Sequence, residues 1–221
     1  MDWKQYWDQI GSENTDFIDQ VQRNHEEETV VTAEHIKKML DINSNDLILD
    51  VCCGNGLLTN IISENCSEII GVDQSEKLIE VANSLFKNKT CSFITSSVIE
   101  IPNRIHQIFD KIYLEFSFQY FDQKDDGSNV IKAMLKVLKP DGLLFIGDIP
   151  EKGKEGKLYN SFIKKIYRQL AKLKRKDTMG KFWSPDEISA ICKTLKVKGR
   201  KITQPKNMPY SHYRFDFLIQ K

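Results

Sequence analysis

The apolar positions of this chain alternate between two periods. Leu47-Ile48-Leu49-Asp50-Val51 is a short, almost unbroken apolar run, the pattern of a strand buried on both faces. Glu68–Asp73, Cys91–Thr95, Asp110–Leu114 and Leu143–Gly147 read as four more strands. Between them the period changes to that of a helix. One helix is predicted from Leu57. A second is capped by Ser75 and carries Leu78, Ile79, Ala82, Leu85 and Phe86 on one face. A third, near 129–138, shows Val130, Ile131, Met134, Leu135 and Leu138 and ends at the turn Lys139-Pro140-Asp141-Gly142. Strands alternating with helices predict βαβ units and a parallel sheet.

The remainder follows a different pattern. Leu158, Phe162, Ile166, Leu170 and Leu173 are spaced for an amphipathic helix. Ser184-Pro185-Asp186-Glu187 is a capping box with proline at the first helical position, which predicts a helix to about Leu195. Val197–Thr203 and Tyr213–Ile219 are strand-like, and a connection of about nine residues holding Pro205 and Pro209 predicts an antiparallel pair. The pattern divides one domain, 1–221, into an N-terminal helical lid (1–31), a core (32–150), a helical cover (151–183) and a terminal helix with hairpin (184–221).

Composition narrows the function classes. Of 221 residues, 40% are hydrophobic and 29% charged, enough apolar material for a substantial core, which excludes wholesale disorder. Lys and Arg number 32 against 31 Asp and Glu, so a globally basic nucleic-acid binder is not expected. The balance is uneven locally. Residues 1–30 hold two cations and eight acids, whereas 151–181 hold eleven cations and three acids. The apolar runs are too short to span a bilayer, and MDWKQYWDQI lacks the pattern of a secretory leader. Five cysteines without CxxC spacing and four scattered histidines argue against disulfides or a metal site, and the expected compartment is the cytoplasm. The sequence fixes no oligomeric state.

The chemistry is concentrated in Asp50-Val51-Cys52-Cys53-Gly54-Asn55-Gly56, which follows the first strand. Gly54 and Gly56 let backbone approach a ligand closely. Open α/β sheets bind ligands at the carboxyl ends of their strands. Asp73, with Gln74 beside it, ends the second strand nineteen residues past Gly54, where a carboxylate accepts hydrogen bonds from ribose hydroxyls. A dinucleotide would bring pyrophosphate to this turn, and Asp50 has the wrong charge for it. Thr59 also stands where a dinucleotide fingerprint has Gly or Ala. S-adenosylmethionine brings an ammonium and a sulfonium, which a carboxylate favours. The charge therefore selects S-adenosylmethionine.

From about Ile36 to Lys221 the chain resembles the class I S-adenosylmethionine-dependent methyltransferases. Leu49–Gly56 resembles their glycine-rich first motif, Ile70–Ser75 their ribose motif, Phe93–Pro102 their adenine stretch and Val137–Ile146 their fifth-strand signature. The resemblance implies an α/β fold: a Rossmann-like, mostly parallel seven-stranded sheet with helices on both faces and an antiparallel C-terminal strand. It implies cofactor contacts from Asp50, Cys52, Cys53, Gly54, Asn55, Gly56, Asp73, Gln74, Ser97 and Val98, with S-adenosylhomocysteine as product. Cys52 and Ser97 depart from the pattern, standing where Gly and Asp are common.

Methyl transfer is an in-line displacement in which positioning does much of the work. Glu115, leading the stretch to Tyr120 after the fourth strand, is the first candidate for contact with the methionine moiety or acceptor, and His212 the candidate base. Arg23 is the candidate partner of the cofactor carboxylate. Trp3, Tyr6, Trp7 and Phe17 offer an aromatic cover. Glu115–Tyr120 lacks the Asn/Asp-Pro-Pro-aromatic sequence used on base and glutamine amines. The reading is therefore transfer to oxygen or nitrogen of a small organic acceptor. The alternatives are RNA or protein methylation, or a non-catalytic S-adenosylmethionine-binding regulatory domain.

Overall fold

The computed structural model describes residues 2–13, 26–121, 126–159, 170 and 178–221. Its strands are β1 (Leu47–Val51), β2 (Glu68–Asp73), β3 (Cys91–Thr95), β4 (Phe109–Glu115), β5 (Leu138–Pro150), β6 (Lys198–Ile202) and β7 (Arg214–Gln220). The helices are α1 (Trp3–Glu13), α2 (Glu26–Leu40), α3 (Leu57–Ser63), α4 (Glu76–Phe86), α5 (Ile101–Arg104), α6 (Asp126–Lys136), α7 (Glu155–Leu158) and α8 (Pro185–Leu195). One sheet runs in the order β3-β2-β1-β4-β5-β7-β6. β1 to β5 are parallel, and β7 lies antiparallel to both β5 and β6. The architecture is the mostly parallel α/β sheet with antiparallel C-terminal strands that the sequence predicted.

Strand alternation sorts the core into two layers. Leu49, Val51, Ile112 and Leu114 face one side with Ile101, Ile131, Met134 and Ile188. Ile48 and Tyr113 face the other with Ala33, Ile36, Leu40, Ile62 and Ile79. Each buried Leu or Ile contributes about 1.5–3 kcal/mol relative to exposure. Asp50 and Tyr113 are register partners on β1 and β4, so this alternation puts an acid beside a phenol.

Local signals set the helix starts. Ser75 accepts a hydrogen bond from the Leu78 amide at 3.3 Å and caps α4. At α8 both halves of the Ser184–Glu187 capping box are formed, with Pro185 in the first turn. Among the described residues no helix is long and apolar enough to cross a membrane.

The boundaries of β5 and of the N-terminal helical segment differ from the expectation. β5 starts at Leu138, which pairs with Phe109. The turn Lys139–Gly142 is an irregularity inside the strand, and pairing resumes at Lys111 and Leu143. At its other end β5 continues past Gly147, because Ile149 and Pro150 pair with Phe215 and Arg214. Long-range partners, invisible in local periodicity, extend the strand. α2 runs unbroken through position 31 and buries Ala33, Ile36 and Leu40 against the sheet. The predicted helix through Phe162, Ile166 and Leu173 lies largely outside the described residues, as do Phe17 and Arg23.

Candidate functional site

The strand order reverses direction between β1 and β4, so their carboxyl ends diverge and leave a crevice. The chain leaves β1 through a turn in which Cys52, Gly54 and Gly56 all have positive φ, at 62°, 57° and 79°. At Gly56 a Cβ would stand 2.6 Å from the Phe93 ring, so any side chain there would collide as well as strain the backbone. Cys52 holds the same backbone region without being glycine, a strained choice for an L residue.

Asp73 ties this turn to β2. One carboxylate oxygen accepts the Gly54 amide at 3.0 Å and the other the Ser75 amide at 2.9 Å. Burial raises its carboxyl above the ordinary range, while the amides of Ser75, Gly54 and Gln74 pull the other way. Asp50 accepts the Thr59 hydroxyl at 2.5 Å. Burial pushes its carboxyl up to about 7, opposed by the Thr59 and Tyr113 hydroxyls and reinforced by the charge of Asp73. In the sequence pattern Thr59 is only a departure from the Gly or Ala of a dinucleotide fingerprint. In the fold it organises the carboxylate of the first motif.

A cavity of about 390 Å³ opens at this crevice. That lies within the roughly 300–1,000 Å³ of small-molecule sites. Asp50, Cys52, Cys53, Gly54 and Asn55 form its floor, and Asp73 and Gln74 one end. Glu115, Phe116, Ser117 and Tyr120 form the wall beyond β4. Glu115 is buried, and its carboxylate packs against the α-carbon of Gly147, where a Cβ would overlap it. Burial pushes both Cys52 and Cys53 thiols well above their usual value, so neither is an activated nucleophile.

α1 covers the cavity. Trp3 and Trp7 stand 4.3 and 5.8 Å from the Tyr120 ring, centroid to centroid. Ser75, the cap of α4, donates its hydroxyl to Asp8 at 2.7 Å, and Lys4 pairs with Asp8 at 2.8 Å. Of the four aromatics that the sequence offers as a cover, Trp3 and Trp7 line the cavity and Tyr6 does not, and the anchor of α1 has no local signal. Asp8 and Ser75 are separated by 67 residues, and nothing local connects them. Thr29 and Asp126, each near the start of a helix, also line the cavity, and neither belongs to a recognisable sequence motif.

The structure does not bring every sequence candidate to this cavity. Ser97 is exposed and Val98 buried, and neither lines it, nor does Gly56. His212 is exposed, its ring 4.8 Å from Tyr213, and is not a lining residue. His35 is buried and paired with Asp216 at 2.7 Å, as befits a structural residue. Among the described residues no three His, Cys, Asp or Glu side chains gather where they could hold a metal.

A mostly parallel sheet with this strand order, and a glycine turn and acidic strand end at its switch point, defines a Rossmann-like architecture with a candidate ligand site at the crevice. Residues 49–146, a little under half of the chain, match the family model of a methyltransferase domain. A ubiquinone biosynthesis O-methyltransferase of Bos taurus is 28% identical over 171 residues, 75% of this chain and 45% of that protein. A demethylmenaquinone methyltransferase of Lactobacillus johnsonii is 28% identical over 112 residues, 48% of this chain and 44% of that protein. The matches thus span less than half the length of these two curated relatives. Among solved structures, the N-methyltransferase NodS from Bradyrhizobium japonicum, in complex with S-adenosylhomocysteine, superposes with a TM-score of 0.67 at 12% identity, covering 99% of this chain and 97% of that one. Magnesium protoporphyrin IX methyltransferase from Synechocystis, also with bound S-adenosylhomocysteine, gives 0.65 at 14%, covering 98% and 93%. At these identities the likeness is one of fold.

Proposed function

We propose that this chain transfers the methyl group of S-adenosylmethionine to an oxygen or nitrogen of a small organic acceptor, leaving S-adenosylhomocysteine. The observation that carries this reading is the placement of Asp73 and Asp50 in one cavity, linked through the Gly54 turn. Two carboxylates suit a ribose and a cationic amino acid group, whereas a pyrophosphate at the Gly54 turn would meet the Asp50 carboxylate once that group is ionised.

The cofactor supplies an electrophilic methyl on a leaving group that is already activated. Asp73 would hold the ribose hydroxyls, and the half-buried backbone of Gly54, which lines the cavity without a side chain, would accept close approach of the nucleoside. Asp50 would face the ammonium, with Thr59 fixing its orientation. Glu115 to Tyr120 would form the methyl and acceptor side, roofed by Trp3 and Trp7, which can offer ring faces to a sulfonium. Arg23, Ser97 and Val98 remain proposed contacts for the cofactor carboxylate and adenine. The quinone-pathway names of the two curated relatives support a small organic acceptor. We place the reaction in the cytoplasm.

Calorimetry with S-adenosylmethionine and NAD separates the cofactor readings, and binding of NAD alone would overturn this one. Production of S-adenosylhomocysteine over a metabolite panel then tests turnover. Turnover confined to RNA or protein substrates would move the assignment to macromolecular methylation, and tight binding without any turnover would indicate a regulatory domain.

A further inference from the structure

Phe116 is the residue of the cavity wall that the backbone holds least comfortably. It follows β4 directly and has φ 56°, a conformation unfavourable to a bulky side chain. Such a conformation persists where surroundings over-determine it. The Phe116 amide donates to the Gly147 carbonyl at 3.2 Å, and its own carbonyl accepts the Gln119 side-chain amide at 2.7 Å. Its ring lies 4.4 Å from the guanidinium carbon of Arg214, the first residue of β7.

Arg214 is 2% exposed, so it does not reach a ligand. A charge that deep needs a counter-charge and acceptors. Asp148 supplies both: its carbonyl accepts Arg214 Nη1, and its carboxylate lies 3.7 Å away. Asp148 is itself held. Gln204 donates to the Asp148 carboxylate at 3.1 Å and to that of Asp216 at 2.7 Å, and the Asp148 amide donates to Asp216 at 2.8 Å. His35 of α2 closes the far end on Asp216. The chain of contacts therefore runs from α2 through the C-terminal strands to the cavity wall. A guanidinium can present its edge to Asp148 and its face to Phe116 at once. A lysine ammonium can satisfy the first and not the second.

We propose that Arg214 is a positioning residue. By stacking on Phe116 it fixes the Glu115–Ser117 turn and so sets the shape of the acceptor side of the cavity. The assignment of that side to an acceptor rests on the function proposed above. The stack on Phe116 does not.

The test uses full-length protein labelled with 4-fluorophenylalanine, the Phe116 resonance being identified by its loss in Phe116→Leu. In Arg214→Lys we expect the ligand-free Phe116 resonance to shift or split, with S-adenosylhomocysteine affinity within about threefold of wild type. Asp148→Asn, which weakens the hold on Arg214 without touching Phe116, should move the same resonance if the lysine variant does not fold. On any acceptor found in the metabolite panel, Arg214→Lys should raise KM at least tenfold. A Phe116 resonance unmoved in both variants would overturn the positioning role and leave Arg214 merely structural. Failure of wild-type protein to bind S-adenosylhomocysteine, with the resonance still moving in the variants, would overturn the cofactor reading while retaining the stack.

Discussion

The Asp73 carboxylate accepts the Gly54 amide at 3.0 Å, tying the end of β2 to the glycine turn across 19 residues of chain. Its other oxygen takes the Ser75 amide at the start of α4. The residue proposed to hold the ribose therefore also holds the loop on which the nucleoside would lie.

Asp73→Ala removes charge-assisted hydrogen bonds worth roughly 1.5–3 kcal/mol. S-adenosylmethionine affinity should fall about ten- to a hundredfold by calorimetry. Far-ultraviolet circular dichroism should be unchanged, because the group lies at a strand end. Unaltered affinity in the folded variant would remove Asp73 from the site.

Cys52 and Gly54 share left-handed backbone and should respond in opposite ways. Cys52→Gly relieves strain but frees the unfolded chain, so stability should stay within about 1 kcal/mol of wild type and cofactor binding should survive. Gly54→Val places a β-branched side chain at positive φ and should abolish binding. Thermal melts with calorimetry check both, and a greater loss in Cys52→Gly would reveal a function for that thiol.

The raised carboxyl of Asp50 makes stability depend on pH. The folded protein keeps the Asp50 proton up to about pH 7, whereas the unfolded chain releases it near 4. Between those values the native state binds more protons, so stability falls as pH rises, by up to about 4 kcal/mol, and is level above 7. Asp50→Asn should abolish this part of the slope in urea melts across pH 4–8. An ammonium beside Asp50 would favour the ionised form. Cofactor binding near pH 6.5 should therefore release a proton, seen as a buffer-dependent enthalpy.

Gly147 is where the backbone of β5 makes room for Glu115. Gly147→Ala should displace that carboxylate and lower turnover at least tenfold in a folded protein. The rate of S-adenosylhomocysteine formation measures it, and normal turnover would place Glu115 outside the reaction.

The basic stretch 151–181 remains a proposed substrate cover. Reversal of Lys152, Lys154, Lys157, Lys172, Lys174 and Lys176 to Glu should leave S-adenosylmethionine affinity nearly unchanged if the cover is separate from the nucleoside site, because charges further apart than roughly 8–10 Å are screened at physiological salt. Loss of cofactor binding in the folded variant would contradict a cover separate from the nucleoside site.

The sequence by itself determined β1, β2 and β3 to the residue, the caps of α4 and α8, and the linear motif from Asp50 to Asp73. These follow from local causes: apolar runs, side-chain caps, glycines and the charge of a carboxylate. The tertiary structure decided what depends on contacts distant in sequence. Pairing with β4 and β7 lengthened β5 at both ends. The register of β1 on β4 set Tyr113 beside Asp50, and the first turns of α3 brought up Thr59. The anchoring of α1 through Asp8 and Ser75, and the burial of Arg214 behind Phe116, likewise had no local signature. A buried polar group must find partners wherever the fold places them, and the spacing of residues along the chain does not record that search.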